Sequence, residues 1–305
     1  MHQSISAGCS IPDFCQHYGD YLFRVRGLSG STRKLHRHVI CRLLTLRFPD
    51  GKVIVSDLRF KDLVDFLKEE FARLSSRETQ RAWLTILRSF LRYLSEGGKI
   101  PKGWEGALPK VANHSYARLP KNLSPEQVKA LRAACRGEKP RHFRNRALLL
   151  LFLRLGLRLQ EVASLVPNDI DWKHGYLKVR CTKTYNDRIL PLPQDVGRAL
   201  IAHLRQCRVH PQRIFEPLRA PFTAERSYNH ALNSIRYVFG LAGINDRGAH
   251  SLRHTAATEM VNAGASFKDV ADVLGHKSIT TTFIYAKLDM KSLMRVALPW
   301  PGGAR

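Results

Sequence analysis

A break in the helical pattern at about residues 99–119 divides the chain into two parts. Within this stretch Pro101 and Gly103, among others, interrupt any regular spacing of apolar residues, as is typical of a linker between domains. The chain has 305 residues, which is enough for two domains that each bury a hydrophobic core. We therefore predict an N-terminal domain over residues 1–112, followed by a C-terminal domain over residues 120–305.

The first part has apolar residues at helical spacing in three successive segments. The first segment covers Lys34–Arg47, and Ser31-Thr32 is its predicted cap. The second begins after Asp57, and the third begins after Ser75-Ser76 and stops at Gly97-Gly98. This pattern predicts an N-terminal domain built from helices.

The second part combines helices with one predicted hairpin. Ser124 precedes Pro125 and stands three residues before Gln127, a combination typical of a helix start. Residues 177–180 alternate apolar with basic side chains and residues 189–192 form a short apolar run, which predicts two short strands around a polar turn. The remaining segments have helical spacing, so this part is predicted to be an α+β domain with a small antiparallel sheet.

The net charge indicates a polyanionic partner. Fifty Lys and Arg oppose 25 Asp and Glu, which gives a formal charge of +25. The excess is present in both parts, with 19 basic against 11 acidic residues over 1–115 and 31 against 14 over 116–305. Nucleic acid is the commonest partner of such a chain, although ribosomal and membrane-surface proteins share this charge.

Cysteine usage and hydropathy indicate where the protein works. The six cysteines are scattered singly without a CxxC pair, so we expect reduced thiols and a cytoplasmic protein. Cys9, Cys15 and His17 lie close in sequence, but their spacing matches no zinc pattern. The longest apolar run, Ala147–Leu153, is too short to span a bilayer. We expect neither a metal nor a membrane partner.

Two segments of the second part carry basic residues suited to phosphate chemistry. Arg158 follows Gly156 at the start of an amphipathic helix, and Glu161 lies one turn further on the same face. A guanidinium there is ordinarily a solvated surface charge, but it can also hold two phosphate oxygens. The predicted hairpin tip carries Lys183, which could protonate a leaving oxygen if the tip enters a DNA groove.

Two further segments bring histidines and a tyrosine near the C-terminal end. His250 and Arg253 are spaced to share a helix face. The sequence LGHKSITTTFIY places His276 nine residues before Tyr285. Each motif alone is more often a surface pair or a packed aromatic than a functional site, so only the joint pattern is informative.

Taken together, the motifs resemble the tyrosine recombinase (phage integrase) family. GLRLQEVASL, HSLRHTAAT and LGHKSITTTFIY are similar to its three sequence boxes, and RGLSGSTRKLHRH with LRSFLRYLSEGG is similar to its helical DNA-clamping domain. The resemblance spans roughly residues 11–295 and implies a mainly α protein, with an N-terminal SAM-like clamp and a catalytic domain of the DNA breaking-rejoining fold. The family's catalytic positions correspond, in chain order, to Arg158, Lys183, His250, Arg253, His276 and Tyr285.

The resemblance also implies a role for each position. Tyr285 would attack a DNA phosphodiester, and the two arginines would brace its non-bridging oxygens. Lys183 would be the general acid, although many relatives have Gly-Lys-Gly where this chain has Thr-Lys-Thr, and Lys178 is the alternative. His250 would accept or relay the proton of the nucleophile, and His276 would hydrogen-bond the phosphate or the tyrosine. Glu161 would stabilise these residues without contacting the DNA itself. No cofactor is expected.

The implied function is site-specific recombination on double-stranded DNA. Strand exchange would run in a homotetramer, formed from a monomer or weak oligomer. The apolar tail at residues 288–298 would either pack on its own domain or, as the resemblance favours, dock on a neighbouring subunit. Few residues precede the clamping domain, so we expect a simple recombinase that serves a mobile element, by transposition or integration, or resolves replicon dimers. The alternatives are a type IB topoisomerase-like relaxing enzyme and a catalytically inactive DNA-binding regulator on the same fold.

Overall fold

The structure is a computed structural model that describes residues 8–112, 122–180, 187–207, 211–217, 219–276 and 278–288. The chain divides into two compact units, Met1–Asn113 and His114–Arg305. Each is treated separately below as the first and the second unit. The predicted mainly α fold with a small antiparallel sheet in the second part is confirmed, and the structure adds a two-stranded ribbon in the first unit that the sequence did not predict.

The first unit is a bundle of helices joined by short turns. A two-stranded antiparallel ribbon pairs Cys9 with Val53 at the start of the bundle. The elements are β1 (Cys9–Ser10), α1 (Ile11–Arg24), α2 (Gly30–Arg47), β2 (Lys52–Val53), a 3-10 turn (Val55–Asp57), α3 (Phe60–Arg73), α4 (Arg77–Glu96) and α5 (Trp104–Ala107).

Three helices of this unit, α1, α2 and α4, start at a serine cap. Ser76 caps α4 by accepting a hydrogen bond from the Thr79 N–H, as its sequence position predicts. The predicted cap of α2 at Ser31-Thr32 is wrong. The cap is Ser29, whose backbone is extended and whose side chain accepts from the Thr32 N–H. Several small polar residues in a row could all serve as the cap, and the helix extends to the earliest one.

Part of the predicted linker packs within the first unit. Ile100 and Leu108 flank α5 and belong to the buried core of this unit. That core is made chiefly by the apolar faces of α1 to α4, with Phe14, Phe66 and Phe90 fully buried at its centre. Residues 100–108 therefore pack on this helical core.

The second unit surrounds one long buried helix. That helix, α7 (Pro140–Leu155), has nearly all its residues from Ala147 to Leu155 buried, so it forms the centre of the core. Around it lie α6 (Pro125–Ala134), α8 (Leu159–Ser164), a 3-10 turn (Pro167–Asp169), β3 (Ile170–Asp171), β4 (Tyr176–Val179), β5 (Arg188–Pro191), α9 (Gln194–Leu204), α10 (Ala224–Leu241), α11 (Ala249–Asn262), α12 (Phe267–Leu274) and 3-10 turns at Ile279–Thr281 and Phe283–Leu288.

Local sequence explains the main features of this unit. Ser124 and Gln127 form a reciprocal capping box at the start of α6, as predicted. The predicted hairpin is confirmed, with Leu177 opposite Leu190, and a short third strand β3 pairs with β4. A strand of two residues has too few positions to show an alternating pattern, so the sequence did not predict it. No helix in the described ranges is long and apolar enough to cross a membrane.

Candidate functional site

The site begins at the turn between α7 and α8. Arg158 is the N-cap residue of α8, and its backbone N–H donates to Glu161 Oε2 at 2.8 Å. Its Nη1 donates to Glu161 Oε1 at 2.9 Å, so the carboxylate fixes both ends of the arginine. The Arg158 side chain is 38% exposed while that of Glu161 is 4% exposed. The guanidinium is thus held in place and still reaches solvent, where a phosphate could approach.

Three guanidinium groups bind three consecutive carbonyl oxygens at the C-terminal end of α12. Arg188 Nε donates to Val273 O at 2.7 Å, Arg253 Nη2 to Leu274 O at 2.7 Å, and Arg158 Nη2 to Gly275 O at 2.8 Å. Carbonyls at a helix end lack intrahelical partners and carry partial negative charge. These oxygens therefore draw the three cations together from β5, α11 and the N-terminus of α8.

Two glycines allow this close approach. Gly156 ends α7 and Gly275 ends α12, each in the left-handed conformation, with φ of 59° and 62°. A Cβ at Gly156 would lie 2.5 Å from a Leu274 methyl carbon, and a Cβ at Gly275 would lie 2.8 Å from Arg188 Nη1. The glycines of the GLR and LGH motifs are therefore required by both backbone conformation and space.

Arg188 is a site residue that the sequence reasoning missed. It donates to both carboxylate oxygens of Glu161, at 3.0 and 2.9 Å, and is only 10% exposed. Burial opposes ionisation of Glu161, but its contacts with Arg188 and Arg158 outweigh burial, so the pKa of the carboxyl is lowered. Arg188 and the buried Leu190 share a strand face, and a charged residue on that inward face was the available signal.

The arginines also set the protonation of the nearby histidines. Burial, followed by repulsion from Arg253 and Arg158, lowers the pKa of His276 to about 4 and also lowers that of His250. Burial lowers the pKa of Arg253 itself to about 10, with a contribution from Arg158. At neutral pH the site therefore combines charged guanidiniums with neutral imidazoles.

Tyr285 lies in the last 3-10 turn, with its side chain packed under α11. It is 2% exposed, and burial raises the pKa of its phenol to about 12 despite the nearby Arg253. Its hydroxyl is 2.8 Å from Nδ1 of His254, the residue after Arg253. His254 is a second residue missed from the sequence, although it lies one helical turn beyond His250.

The other predicted residues are placed as follows. His250 and Arg253 both lie on α11, and His276 follows α12 with its Nδ1 2.7 Å from Thr282 Oγ1. Lys183 lies outside the described residues. Lys178 lies on β4, half-exposed, with its Nζ 3.6 Å from an Asp187 carboxylate oxygen.

The arrangement is suited to binding an anion beside a phenol. Burial and the nearby Arg158 lower the pKa of Arg253, and Arg253 in turn acts electrostatically on Tyr285. Paired guanidiniums can hold the non-bridging oxygens of a phosphate. In the part of the chain that the structure describes, no cluster of three or more His, Cys, Asp or Glu side chains could hold a metal ion.

Comparison with known proteins identifies a matching family and several relatives of this chain. The model of the phage integrase family matches residues 121–292. A putative integrase/recombinase, y4rA of Sinorhizobium fredii, is 35% identical over 97% of this chain and 73% of its own length. The tyrosine recombinase XerC of Chlamydia muridarum is 31% identical over 74% of this chain and 72% of its own.

A solved structure has the same fold. The XerH site-specific recombinase, bound to a palindromic difH substrate in a post-cleavage complex, superposes with a TM-score of 0.71. The match covers 95% of this chain and 84% of the XerH chain at 18% identity. At this identity the likeness establishes the fold alone.

Proposed function

Because the chain belongs to the phage integrase family and is a tyrosine-type DNA recombinase, we propose that it cleaves and rejoins specific DNA sites through a covalent bond to Tyr285. The observation that carries this proposal is the convergence of Arg158 and Arg253 on the end of α12, with Tyr285 beside Arg253. The reacting phosphate would be bound by the two guanidiniums, within reach of the phenol.

The proposed reaction is a transfer of a phosphoryl group from one oxygen to another. The Tyr285 Oη forms a bond to phosphorus while the bond to the 5′-oxygen of the next nucleotide breaks, leaving a 3′-phosphotyrosine and a free 5′-hydroxyl. The two arginines stabilise the negative charge that develops on the non-bridging oxygens, usually the largest contribution to such catalysis. Lys183 gives a proton to the leaving 5′-oxygen, and His276 hydrogen-bonds the phosphate.

Energy conservation explains how strands are rejoined. The phosphotyrosine retains the energy of the broken phosphodiester, so a 5′-hydroxyl from the same or another duplex can attack it and release Tyr285. The sequence of steps we propose uses no nucleotide, metal or other cofactor.

Glu161 holds Arg158 at two points and Arg188 holds Glu161, so the carboxylate acts through the arginine rather than on the DNA.

The proposed partner is double-stranded DNA, bound by both units. The formal charge of +25 supports contact with phosphates along a duplex, because neutralised phosphates release counterions. We propose a homotetramer that pairs two DNA sites, assembled from a monomer or weak oligomer. The tail at residues 288–298 is the proposed contact between neighbouring subunits, and most of it lies outside the described residues.

The proposed setting is a mobile element whose DNA the protein integrates or excises in the cytoplasm. The relative from Sinorhizobium fredii is called a putative integrase, and integration joins two DNA molecules. Strand exchange between two sites needs no chemistry beyond the cleavage and rejoining proposed above.

Inverted repeats in the DNA beside the gene that the protein footprints, termed the flanking repeats, serve as candidate sites, and a plasmid carrying two copies of them tests this function. A recombinase deletes or inverts the DNA between the copies, and plasmids with no copy keep their supercoils. Relaxation of a plasmid without any copy would instead indicate a topoisomerase. Tight binding to the repeats with neither reaction would indicate a DNA-binding regulator on the same fold.

A further inference from the structure

Among the residues that the structure describes, His254 is the histidine whose ring contacts the hydroxyl of Tyr285. Its Nδ1 lies 2.8 Å from the Tyr285 hydroxyl, and the two rings meet edge to face at 60° with centroids 5.6 Å apart. His254 lies on α11, and the preceding residue on this helix, Arg253, donates hydrogen bonds to two backbone carbonyls. The contact therefore joins a rigid helix to the hydroxyl that would react.

His250 occupies a different position. Its ring packs against the ring of His254, with the two centroids 4.3 Å apart. In the described part of the chain, no hydrogen bond joins His250 to Tyr285. Burial, followed by repulsion from Arg253 and Arg158, lowers the pKa of His250, so its ring lies near the arginines that would bind the phosphate. The sequence suggested His250 as the proton acceptor, but the geometry favours the histidine one turn later.

The protonation states agree with this geometry. Burial, followed by His250 and Arg253, lowers the pKa of His254 to about 4. The groups around its ring are His250 and Arg253 on its own helix, Tyr285 on the last 3-10 turn, and His276, whose pKa His254 lowers in turn. His254 is therefore neutral near pH 7, while burial keeps the proton on the phenol. In the tautomer that carries its proton on Nε2, the Nδ1 atom of His254 accepts the hydrogen bond that the Tyr285 hydroxyl donates.

We propose that His254 takes the proton of Tyr285 as the phenol attacks the scissile phosphate. The proton moves from Oη to Nδ1, the Oη–P bond forms, the P–O5′ bond breaks, and the leaving oxygen receives its own proton from the general acid. His254 becomes an imidazolium and returns the proton to Tyr285 when a 5′-hydroxyl reverses the step. This inference rests on the proposed function of Tyr285 and adds the group that activates it.

The proposal accounts for the buried resting state of the phenol. A phenol with a raised pKa is a poor nucleophile at neutral pH, because only its ionised form attacks readily. A base within hydrogen-bonding distance removes this difficulty at the moment of attack, and general bases typically contribute about 10²–10⁴-fold in rate.

His254→Gln separates proton transfer from positioning. A glutamine oxygen can accept a hydrogen bond from the phenol but cannot remove its proton at neutral pH. The rate of covalent adduct formation is measured on a nicked duplex from the flanking repeats, between pH 6 and 9. The matched control is His174→Gln, because His174 is an exposed histidine on the β3–β4 turn of the same unit.

We expect His254→Gln to slow adduct formation roughly a hundredfold or more at pH 7. Its rate should rise about tenfold per pH unit, because the phenol must then ionise to solvent before it attacks. Wild type and His174→Gln should lack this steep dependence. A His254→Gln rate equal to wild type, or a lower rate with the wild-type pH profile, overturns the proposal, since either result leaves His254 with positioning alone.

His254→Ala with added imidazole is the second test. Free imidazole should restore adduct formation to this variant in proportion to its concentration, and should leave the Ala variant of His174 unaffected. Absence of rescue in a variant that unfolds as cooperatively as wild type counts against the proposal. If wild type itself forms no adduct, the proposed function of Tyr285 fails, a result distinct from a wild-type adduct that His254 does not influence.

Discussion

Glu161 and Arg188 form a two-point ion pair in the interior of the second unit. Nη1 and Nη2 of Arg188 each donate to one carboxylate oxygen of Glu161, at 3.0 and 2.9 Å. The pair ties β5 to α8, and Arg188 also binds the end of α12. Because Glu161 in turn holds Arg158, the strand, the phosphate-binding arginine and the helix end form one connected network. The geometry of the site therefore depends on Arg188, which holds the phosphate-binding Arg158 in place through Glu161.

Arg188→Met should destabilise the protein strongly. Removing Arg188 leaves the buried Glu161 carboxylate with Arg158 as its remaining cationic partner, and breaking a buried ion pair typically costs about 3–5 kcal/mol. Chemical denaturation of the second unit measures the loss. Arg154→Met is the matched control, because its pair with Asp195 is exposed on both sides and such pairs contribute about 0–1 kcal/mol. Equal small losses for both variants would show that the buried network contributes little.

Gly275→Ala and Gly156→Ala should impair both stability and cleavage. The left-handed conformation alone costs a non-glycine residue about 1–2 kcal/mol, and the new methyl groups would meet Arg188 and Leu274 at 2.8 and 2.5 Å. Gly175→Ala provides the control, since its φ is also positive, at 70°, but no atom lies within 4 Å of its Cβ. The same denaturation experiment should therefore show larger losses at the two site glycines. Equal losses at all three positions would contradict a role for close packing.

Acid should destabilise the second unit through its buried histidines. Burial lowers the pKa of His203 to about 4, although its hydrogen bond to Ile214 O favours protonation. Between the unfolded pKa near 6.5 and the folded value, only the unfolded chain binds the proton, so unfolding becomes easier as pH falls through this range. His203→Gln keeps a donor for Ile214 O and should reduce the slope by up to about 1.4 kcal/mol per pH unit. An unchanged slope between pH 6.5 and 4 would rule out His203 as a source of acid sensitivity.

Lys183→Ala should slow cleavage by roughly 10²–10⁴-fold if this lysine protonates the leaving oxygen. Replacing the bridging 5′-oxygen of the scissile phosphate by sulfur should remove most of that defect, because a thiolate leaves without a proton. Lys178→Ala is the comparison, since Lys178 is the other lysine of the hairpin and pairs with Asp187. If sulfur rescues Lys178→Ala and not Lys183→Ala, the assignment moves to Lys178.

Local features of the site could be predicted from the sequence, and long-range contacts could not. The cap at Ser124 and the pairing of Arg158 with Glu161 follow from residues three positions apart, which a helix always brings together. Arg188 and Glu161 lie 27 positions apart, and His254 and Tyr285 lie 31 apart. Such contacts are set by how α11, α12 and β5 pack, and neither periodicity nor capping reports on that packing.

Covalent trapping tests the central claim most directly. Wild type and Tyr285→Phe are each mixed with labelled, nicked duplex from the flanking repeats and separated on a denaturing gel, with footprinting to confirm that both bind. Phenylalanine keeps the ring that packs under α11 and removes only the hydroxyl. A protein–DNA adduct that forms with wild type and is absent from Tyr285→Phe is the result we expect. An adduct of equal yield with Tyr285→Phe, or none from a wild-type protein that footprints the same DNA, would contradict the account.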